Sequence, residues 1–595
     1  MMTGEQYLIN IAVGPVQEFI ASARKLRDLW YGSHLLSELA KAVAASLMKQ
    51  GCELIFPGQP GTTALAADSE LNVANKILAI SPAGTKPEDL VFNAKAAFRD
   101  RWRTICNDAV GRVPQPGLKK ELLQKQVDDF GEFFASWVSY SPNTYTACRQ
   151  LAERKLAGRK SLREFFAPSW QGAGLPKSSL DGVREAVLSG ISQNDSRAYQ
   201  LKKGEHLDAL GVVKRFGPWN YKSRPRFDNM AQVAARPYLL GLKKASLASA
   251  DIALLIPKPR LAQALYPEGN PLADQRAWDG WPEQLSSELL HPAVLEEELR
   301  QFNGQIPPDW KRLENSLKDL WQATATPMPY GCLLLGDGDN MGKALDAIQN
   351  AQGHQHFSQQ LDIFARQVRE AVARHEGQVI YSGGDDVLAY APLHEALACA
   401  AACNQLFFEI MTQACKGLNI SLPTFSMGMV IVHYRTPLHT ALELVRQAER
   451  HAKDVGGKDC LAIIQDKRGG SPITICGNWS GEINLPDRLT RFSSAYSANQ
   501  LSSRLAYQLR GIAGQCGETM LWQDETTPGN TACAEALRLI GRKRDKSSKA
   551  LAPDIAVQLI QGLTNLRSLS DELVIAHQIA HATRLAQAEW NKEEV

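Results

Sequence analysis

No Cys-x-x-Cys pair occurs among the 11 scattered cysteines. Their odd number and irregular spacing exclude a disulfide scaffold and point to a reducing compartment. No stretch of about 18 apolar residues exists, so no membrane-spanning helix is expected. The N-terminus, Met1-Met2-Thr3-Gly4-Glu5-Gln6, lacks the basic leader and apolar run of a secretory signal. A cytoplasmic location is therefore expected. Neither sign of charge dominates: Lys+Arg number 66 against 63 Asp+Glu, a net charge of +3. That balance excludes a histone-like polyanion binder and leaves nucleic-acid contact to local patches or to a partner. There is no short-period repeat and no low-complexity tract. What remains is ordinary globular composition, 44% hydrophobic and 22% charged, over 595 residues, enough for several domains.

An apolar strand, Tyr7 to Val13, is broken by Gly14-Pro15 and followed by a helical stretch from Phe19 to Leu47 and a short strand from Glu53 to Phe56. Residues 86–165 read as mostly helical. Residues 166–260 are rich in Gly, Pro and Lys, with loops and short helices, and 270–310 look like a connector. From about 484 the chain reads as helical, with Leu573, Ala576, Ala580 and Thr583 at the spacing of a bundle face.

The clearest unit is 331–466. Cys332 to Leu335 is a short buried strand. A long helix ending near Gly377 carries Ile363, Phe364, Val368, Ala371 and Val372 on one face. Val379 to Ser382 and Val387 to Tyr390 flank Gly383-Gly384-Asp385-Asp386, a hairpin signal, because glycine accepts the positive φ of tight turns. A helix over 393–414, a strand from Phe425 to Val432, a helix from Pro437 to Val455 and a strand from Leu461 to Gln465 follow. The order β-α-β-β-α-β is the ferredoxin-like pattern.

That topology bears on chemistry. The first strand of such a fold lies antiparallel beside the third, so its C-terminal end meets the tip of the hairpin. Asp337 is thereby predicted beside Asp385 and Asp386. Three carboxylates at one sheet edge repel unless a cation neutralises them. Magnesium, or manganese, fits: such hard ions take oxygen ligands and bind a few carboxylates plus substrate phosphates. Gly336, Gly338, Gly383 and Gly384 let backbone N–H groups approach those phosphates. Rival motifs fail. As a calcium loop, the segment from Asp337 has Met341 where an Asp/Asn ligand belongs and Ile348 where the closing Glu belongs. As a P-loop, Gly342-Lys343 is followed by Ala344 rather than Ser/Thr.

Tyr381-Ser382-Gly383-Gly384-Asp385-Asp386 resembles the GGDD signature of the large palm-domain subunit of type III CRISPR effector complexes, the Cmr (type III-B) subtype fitting best. Leu335 to Lys343 is similar to that family's first palm motif, and Ser426-Met427-Gly428, Ala452-Lys453 and Gly457-Lys458 to its later palm elements. Gly14 to Ile20, Ala23-Arg24-Lys25, Asp28 to Ser33, Pro176 to Gly182 and Leu207 to Arg215 extend the resemblance over nearly the whole chain.

The resemblance implies an α+β fold: two ferredoxin-like palm domains of the nucleotidyl cyclase/polymerase type, an interpalm α/β domain and a C-terminal helical bundle. The expected boundaries are 1–165 for a first palm with a helical insertion and no GGDD, 166–325 for the interpalm domain and connector, 326–470 for the second palm, and 471–595 for the helical domain. It further implies magnesium-dependent 3′–5′ nucleotidyl transfer that turns ATP into cyclic oligoadenylate on target RNA binding, in antiviral defence. The implied partners are guide CRISPR RNA, target RNA and other Cmr subunits, with no membrane. Asp337, Asp385 and Asp386 are the expected catalytic and metal-binding residues. Gly338, Gly383, Gly384, Lys453, Lys458, Gln17 and Ser33 are the expected nucleotide contacts, and Arg542-Lys543-Arg544-Asp545-Lys546 is a candidate for RNA phosphate. The palm motif begins at Gly14 and no His-Asp dipeptide occurs, so the family's histidine–aspartate DNase activity is not expected. Nor is zinc: Cys148 has no partner pair, and Cys399 and Cys403 sit on an apolar helix. Two rivals remain: a free-standing GGDEF-like cyclase, which the N-terminal palm argues against, and a silent guide-RNA scaffold, which the intact carboxylates argue against.

Overall fold

In the computed structural model the described residues are 5–113, 117–162, 174–189, 201, 204–217, 227–267, 280–481, 484–516, 531–542, 551, 553–560, 563 and 565–590. The chain opens with β1 (Gln6–Gly14), α1 (Gln17–Ala21), α2 (Leu26–Lys49), β2 (Glu53–Phe56), β3 (Lys76–Ile80), α3 (Pro87–Val110), α4 (Lys120–Asp128), β4 (Glu132–Tyr140) and α5 (Tyr145–Ser161). The four strands form one antiparallel sheet in the order β2-β3-β1-β4. Side chains alternate across β1, as the strand period requires. Ile9, Ile11 and Val13 pack on Leu35, Leu39 and Val43 of α2, while Leu8 faces Tyr145 and Ala152 of α5. The expected single helix from Phe19 to Leu47 is broken at Ser22, where a residue far along the chain intervenes. Lys214 donates to the carbonyls of Phe19 and Ser22, the latter at 3.0 Å, and so caps the end of α1. The stretch 86–165, expected to be mostly helical, also contains β4, which pairs with β1 along its full length.

Next come α6 (Ala209–Phe216), α7 (Met230–Ala248), α8 (Ala250–Leu255), α9 (Pro259–Leu265), α10 (Pro292–Arg300) and α11 (Pro308–Ala323). Where an α/β unit is expected, the described residues of 174–325 carry helices and only isolated bridges, Lys177 to Glu185 and Leu188 to Leu207. Frequent Gly and Pro leave no run long enough for a ladder. Arg215 of α6, fully buried, pairs with Asp28 of α2 at 2.7 Å and Glu205 at 3.0 Å, which ties this region to the first sheet.

The second sheet is built from β5 (Tyr330–Gly338), α12 (Met341–Ala347), α13 (Ala351–Arg374), β6 (Gln378–Gly383), β7 (Asp386–Pro392), α14 (Leu393–Cys415), β8 (Phe425–His433), α15 (Leu438–Asp454), β9 (Cys460–Gln465) and β10 (Ile473–Asn478). Its order is β10-β9-β8-β5-β7-β6. The four strands β8-β5-β7-β6 repeat the ferredoxin-like order of the first sheet, with β5 antiparallel to both β7 and β8. The sheet runs on past 470 through β10, antiparallel to β9. Met427 and Met429 are core residues, as are Cys399 and Cys403 of α14. The two palms share a core: Ala23, Leu26 and Leu29 pack with Leu333, Leu388, Tyr390 and Val430.

The remaining helices are α16 (Leu485–Ser497), α17 (Leu505–Cys516), α18 (Thr531–Ile540), α19 (Pro553–Ile560) and α20 (Leu566–Gln587). Leu573, Ala576 and Ala580 of α20 are fully buried. Gly241 of α7 lets that helix meet α20 closely, since a Cβ there would lie 1.9 Å from the Leu585 carbonyl oxygen. No helix of the described residues is long and apolar enough to cross a membrane.

Candidate active site

The central strand β5 delivers Asp337 to the edge of the second sheet. Its partner β7 begins at Asp386, and Gly383 pairs with Asp386 across a two-residue turn, Gly384-Asp385. Gly384 sits at φ 65°, the left-handed region that glycine occupies without strain. The antiparallel register of β5 and β7, Gly336 opposite Val387, then sets Asp337 beside the turn. Carboxylate oxygens of Asp337, Asp385 and Asp386 lie within 4.8 Å of one another. Asp337 and Asp385 are half-buried and Asp386 is exposed.

Crowding shows in the acidities. Burial pushes Asp385 up to about 6. Asp386 is pushed up to about 7: the residue is exposed overall, but its carboxyl is partly stripped of water by the protein around it, and the charges of Asp385 and Glu449 add to this. Such a set of hard oxygen donors, reluctant to ionise together, fits a divalent cation of the magnesium or manganese type.

Two lysines from the α15–β9 segment reach the same edge. Lys453 donates to Asp337 and, at 2.7 Å, pairs with Glu449 one turn earlier on α15. Lys458 donates to Asn340 Oδ1 at 2.7 Å. Asp339 has a different task. It is 1% exposed and accepts from Ser426 Oγ at 2.8 Å, Thr424 Oγ1 at 3.0 Å and the Asp459 backbone N–H at 3.0 Å. It thereby fastens the turn after β5 to the start of β8 and to the loop carrying Lys458.

The structure thus brings together Asp337, Asp385, Asp386, Gly338, Gly383, Gly384, Lys453 and Lys458. Gln17 and Ser33 lie on the first palm, outside the carboxylate cluster: Gln17 opens α1, and Ser33 is in the second turn of α2, which packs on β6. Asn72 of the first palm donates to the Ser382 carbonyl at 2.7 Å, next to Gly383. Lys543 to Lys546 of the basic run lie outside the described residues. Cys148 donates to the Ser139 carbonyl at 3.3 Å. Sequence reasoning missed Glu449, although its i,i+4 spacing to Lys453 was a readable signal. It also missed Asp339 as a brace, which no spacing announces.

A second group, His34, Glu38 and Asp68, also gathers ligating atoms. Glu38 is already taken by Lys41 at 2.6 Å and by Arg101, and it accepts the Asp68 backbone N–H at 3.0 Å. The neutralised carboxylate makes this an ion-pair network of the first palm. His34 stacks on Trp30, with ring centroids 5.3 Å apart, and burial pushes it down to about 4.

Two ferredoxin-like palms, one bearing a carboxylate turn, define a cyclase-like palm protein. The comparisons narrow this. Residues 330–462 match the family model of the Cas10/Cmr2 second palm domain, and residues 8–107 that of the N-terminal part of CRISPR-associated protein Cmr2. The CRISPR system Cmr subunit Cmr2 of Pyrococcus furiosus is 27% identical over 568 residues, covering 79% of this chain and 63% of that protein. The chain thus spans less than two thirds of that relative's length. Among solved structures, a type III-B Cmr-beta complex in its apo state has a chain of similar fold, with TM-score 0.65 and 13% identity, covering 98% of this chain and 82% of that one. The Cmr-beta structure bound to cognate target RNA gives TM-score 0.62 at 13% identity, covering 97% and 83%. The second palm and the N-terminal segment thus each match a domain of the Cas10/Cmr2 family.

Proposed function

We propose that this chain is the large subunit of a type III-B CRISPR effector complex and that its second palm joins ATP into cyclic oligoadenylate, or a related adenylyl messenger, when guide RNA in the complex pairs with target RNA. The observation that carries this reading is the convergence of Asp337, Asp385 and Asp386 within 4.8 Å at the sheet edge, next to the point where Asn72 of the first palm reaches β6. The Pyrococcus relative is a Cmr subunit, and the similar complex has been solved with target RNA, which supports target RNA and Cmr subunits as partners; guide RNA is proposed alongside them.

In this reading Asp337, Asp385 and Asp386 hold magnesium, which when bound stabilises charge developing at the reacting phosphate. Lys453 and Lys458 bind the triphosphate. The Gly383-Gly384 turn and Gly338 let backbone approach it. Gln17 and Ser33 contact the second nucleotide from the first palm. A 3′-oxygen bonds to the α-phosphorus of the neighbouring ATP, the bond to pyrophosphate breaks, and the hydroxyl proton passes to solvent.

The test is mass spectrometry of products from the assembled complex with ATP and magnesium, with and without target RNA. Adenylyl products that depend on target RNA are expected. Replacing Asp385→Ala with Asp386→Ala should lower the rate by at least roughly 100-fold, because preorganised charge stabilisation is lost, and leave assembly intact. Full activity of the purified chain without RNA would favour a free-standing cyclase. RNA binding with no ATP turnover would leave a scaffold.

A further inference from the structure

The first palm touches more than the rim of the second. Tyr145 opens α5 and is 2% exposed, and its hydroxyl lies 3.0 Å from Nδ1 of His354, a fully buried residue in the first turn of α13. The other ring nitrogen, Nε2, lies 2.9 Å from the Leu345 carbonyl in α12. Nδ1 also lies 3.2 Å from the Asn350 carbonyl; the nearer Leu345 carbonyl accepts the Nε2 N–H, and Nδ1 then accepts the Tyr145 hydroxyl. Burial keeps the ring neutral, pushing it down to about 4. That tautomer satisfies the contacts to Tyr145 and Leu345, and the tyrosine of one palm meets the histidine that grips a helix of the other.

Independent contacts repeat the arrangement. Arg149, one turn along α5, pairs with Asp346 of α12 and, at 2.9 Å, with Glu153. Gln355 of α13 donates to Glu53 at 2.9 Å and to the Leu54 carbonyl at 3.0 Å. Gly58 donates to Ser358 Oγ at 2.9 Å. Helix α12 has only seven residues and starts directly after the Asp339-Asn340 turn that ends β5. A helix that short is held by its surroundings rather than by its own ladder. Met341, its first residue, packs on Gly338, where an added Cβ would meet Met341 Cγ at 2.8 Å. Whatever holds α12 therefore bears on the end of β5, which carries Asp337 and Gly338.

We infer that His354, oriented by Tyr145, is a positioning residue of the second-palm site, and that through it the first palm sets the geometry of the carboxylates. The expected effect on rate rests on the nucleotidyl-transfer reading; the coupling itself does not.

The test uses the full chain in its assembled complex, with Tyr145→Phe, His354→Gln and His354→Leu. Hydrogen exchange across residues 341–347 reads the coupling, and kcat and KM for ATP read its consequence. Tyr145→Phe removes one hydroxyl. It should speed exchange in α12 several-fold and lower kcat by roughly 10-fold, as expected for a small misplacement of reacting groups, with KM for ATP changed less than about twofold. His354→Gln, whose amide nitrogen still donates toward Leu345, should recover most of the protection and rate that His354→Leu loses. Unchanged exchange in α12 for both Tyr145→Phe and His354→Leu would overturn the inference. So would faster exchange with unaltered kcat, or equal losses in the Gln and Leu variants that simply follow melting temperature. If the wild-type complex makes no adenylyl product, the transfer reading fails and the exchange data alone decide the coupling.

Discussion

Lys453 places its ammonium on the Asp337 carboxylate across 116 residues of chain. The protein thus supplies its own counter-charge to a cluster that otherwise holds three acids. Burial pushes Lys453 down from its ordinary range, so the contact is made by a partly desolvated cation. A divalent ion at the carboxylates would compete with this lysine, and on the proposed reading a triphosphate would give it a new partner.

Lys453→Met should therefore separate metal binding from substrate binding. Removing the competing cation is expected to tighten Mn²⁺ binding in an electron paramagnetic resonance titration. Loss of a phosphate contact should lower kcat/KM for ATP by at least roughly 10-fold, the scale of one charge-assisted hydrogen bond. Weaker Mn²⁺ binding in the variant would count against this role.

Gly338→Ala should disturb the site with little effect on the fold. A Cβ at this position would lie 2.9 Å from Asp385 Oδ2 and 3.0 Å from Asp385 Cβ. The turn must shift to relieve that overlap, and the expected cost in kcat is roughly 10- to 100-fold. Thermal melting should move by only a few degrees. An unchanged kcat would show that Asp385 does not depend on the present closeness of the two strand ends.

Asp339→Ala should act through stability. It leaves the Ser426 and Thr424 hydroxyls and the Asp459 backbone N–H without their acceptor. Unmet hydrogen bonds of this kind cost about 1–3 kcal/mol each when buried; Ser426 is fully buried and the other two donors only partly, so a loss of about 2–4 kcal/mol in urea denaturation is expected. A variant as stable as wild type would mean that water replaces the carboxylate.

The pH response follows from Asp385 near 6 and Asp386 near 7. Both lie above the unfolded value of about 3.9, so the folded, metal-free chain binds more protons than the unfolded one. The stability contributed by this pair is full below about pH 4 and is lost as the pH rises through 6 and 7. A divalent ion competes with the same protons. Its apparent affinity should climb with pH across that window and level off above it. Mn²⁺ titrations across the window check this, together with denaturation in a chelator of wild type and of the double variant Asp385→Asn, Asp386→Asn. A pH-independent affinity would contradict it.

The second palm was readable in the sequence because its signals are local. Strand alternation, the Gly-Gly turn and an amphipathic helix each declare themselves within a dozen residues, and strand pairing then carries Asp337 to Asp385. Strand β4 was hidden in a stretch read as helical because it is half-buried and only its pairing with β1 selects it. The break between α1 and α2 was invisible because Lys214, which caps the carbonyls there, comes from α6. The brace at Asp339 and the grip of Tyr145 on His354 depend on partners far apart in the chain. Neither has a spacing that sequence alone could single out.

The two palms also hide each other's weak flanks. Strand β2 is one of the two outer strands of the first sheet and β6 one of the two of the second. Gln355 covers the Leu54 carbonyl on β2, and Asn72 covers the Ser382 carbonyl on β6. Either palm cut out alone would present a bare strand ready to pair with another chain. Excising either palm is therefore expected to expose an edge that the other now covers, a liability the single chain avoids.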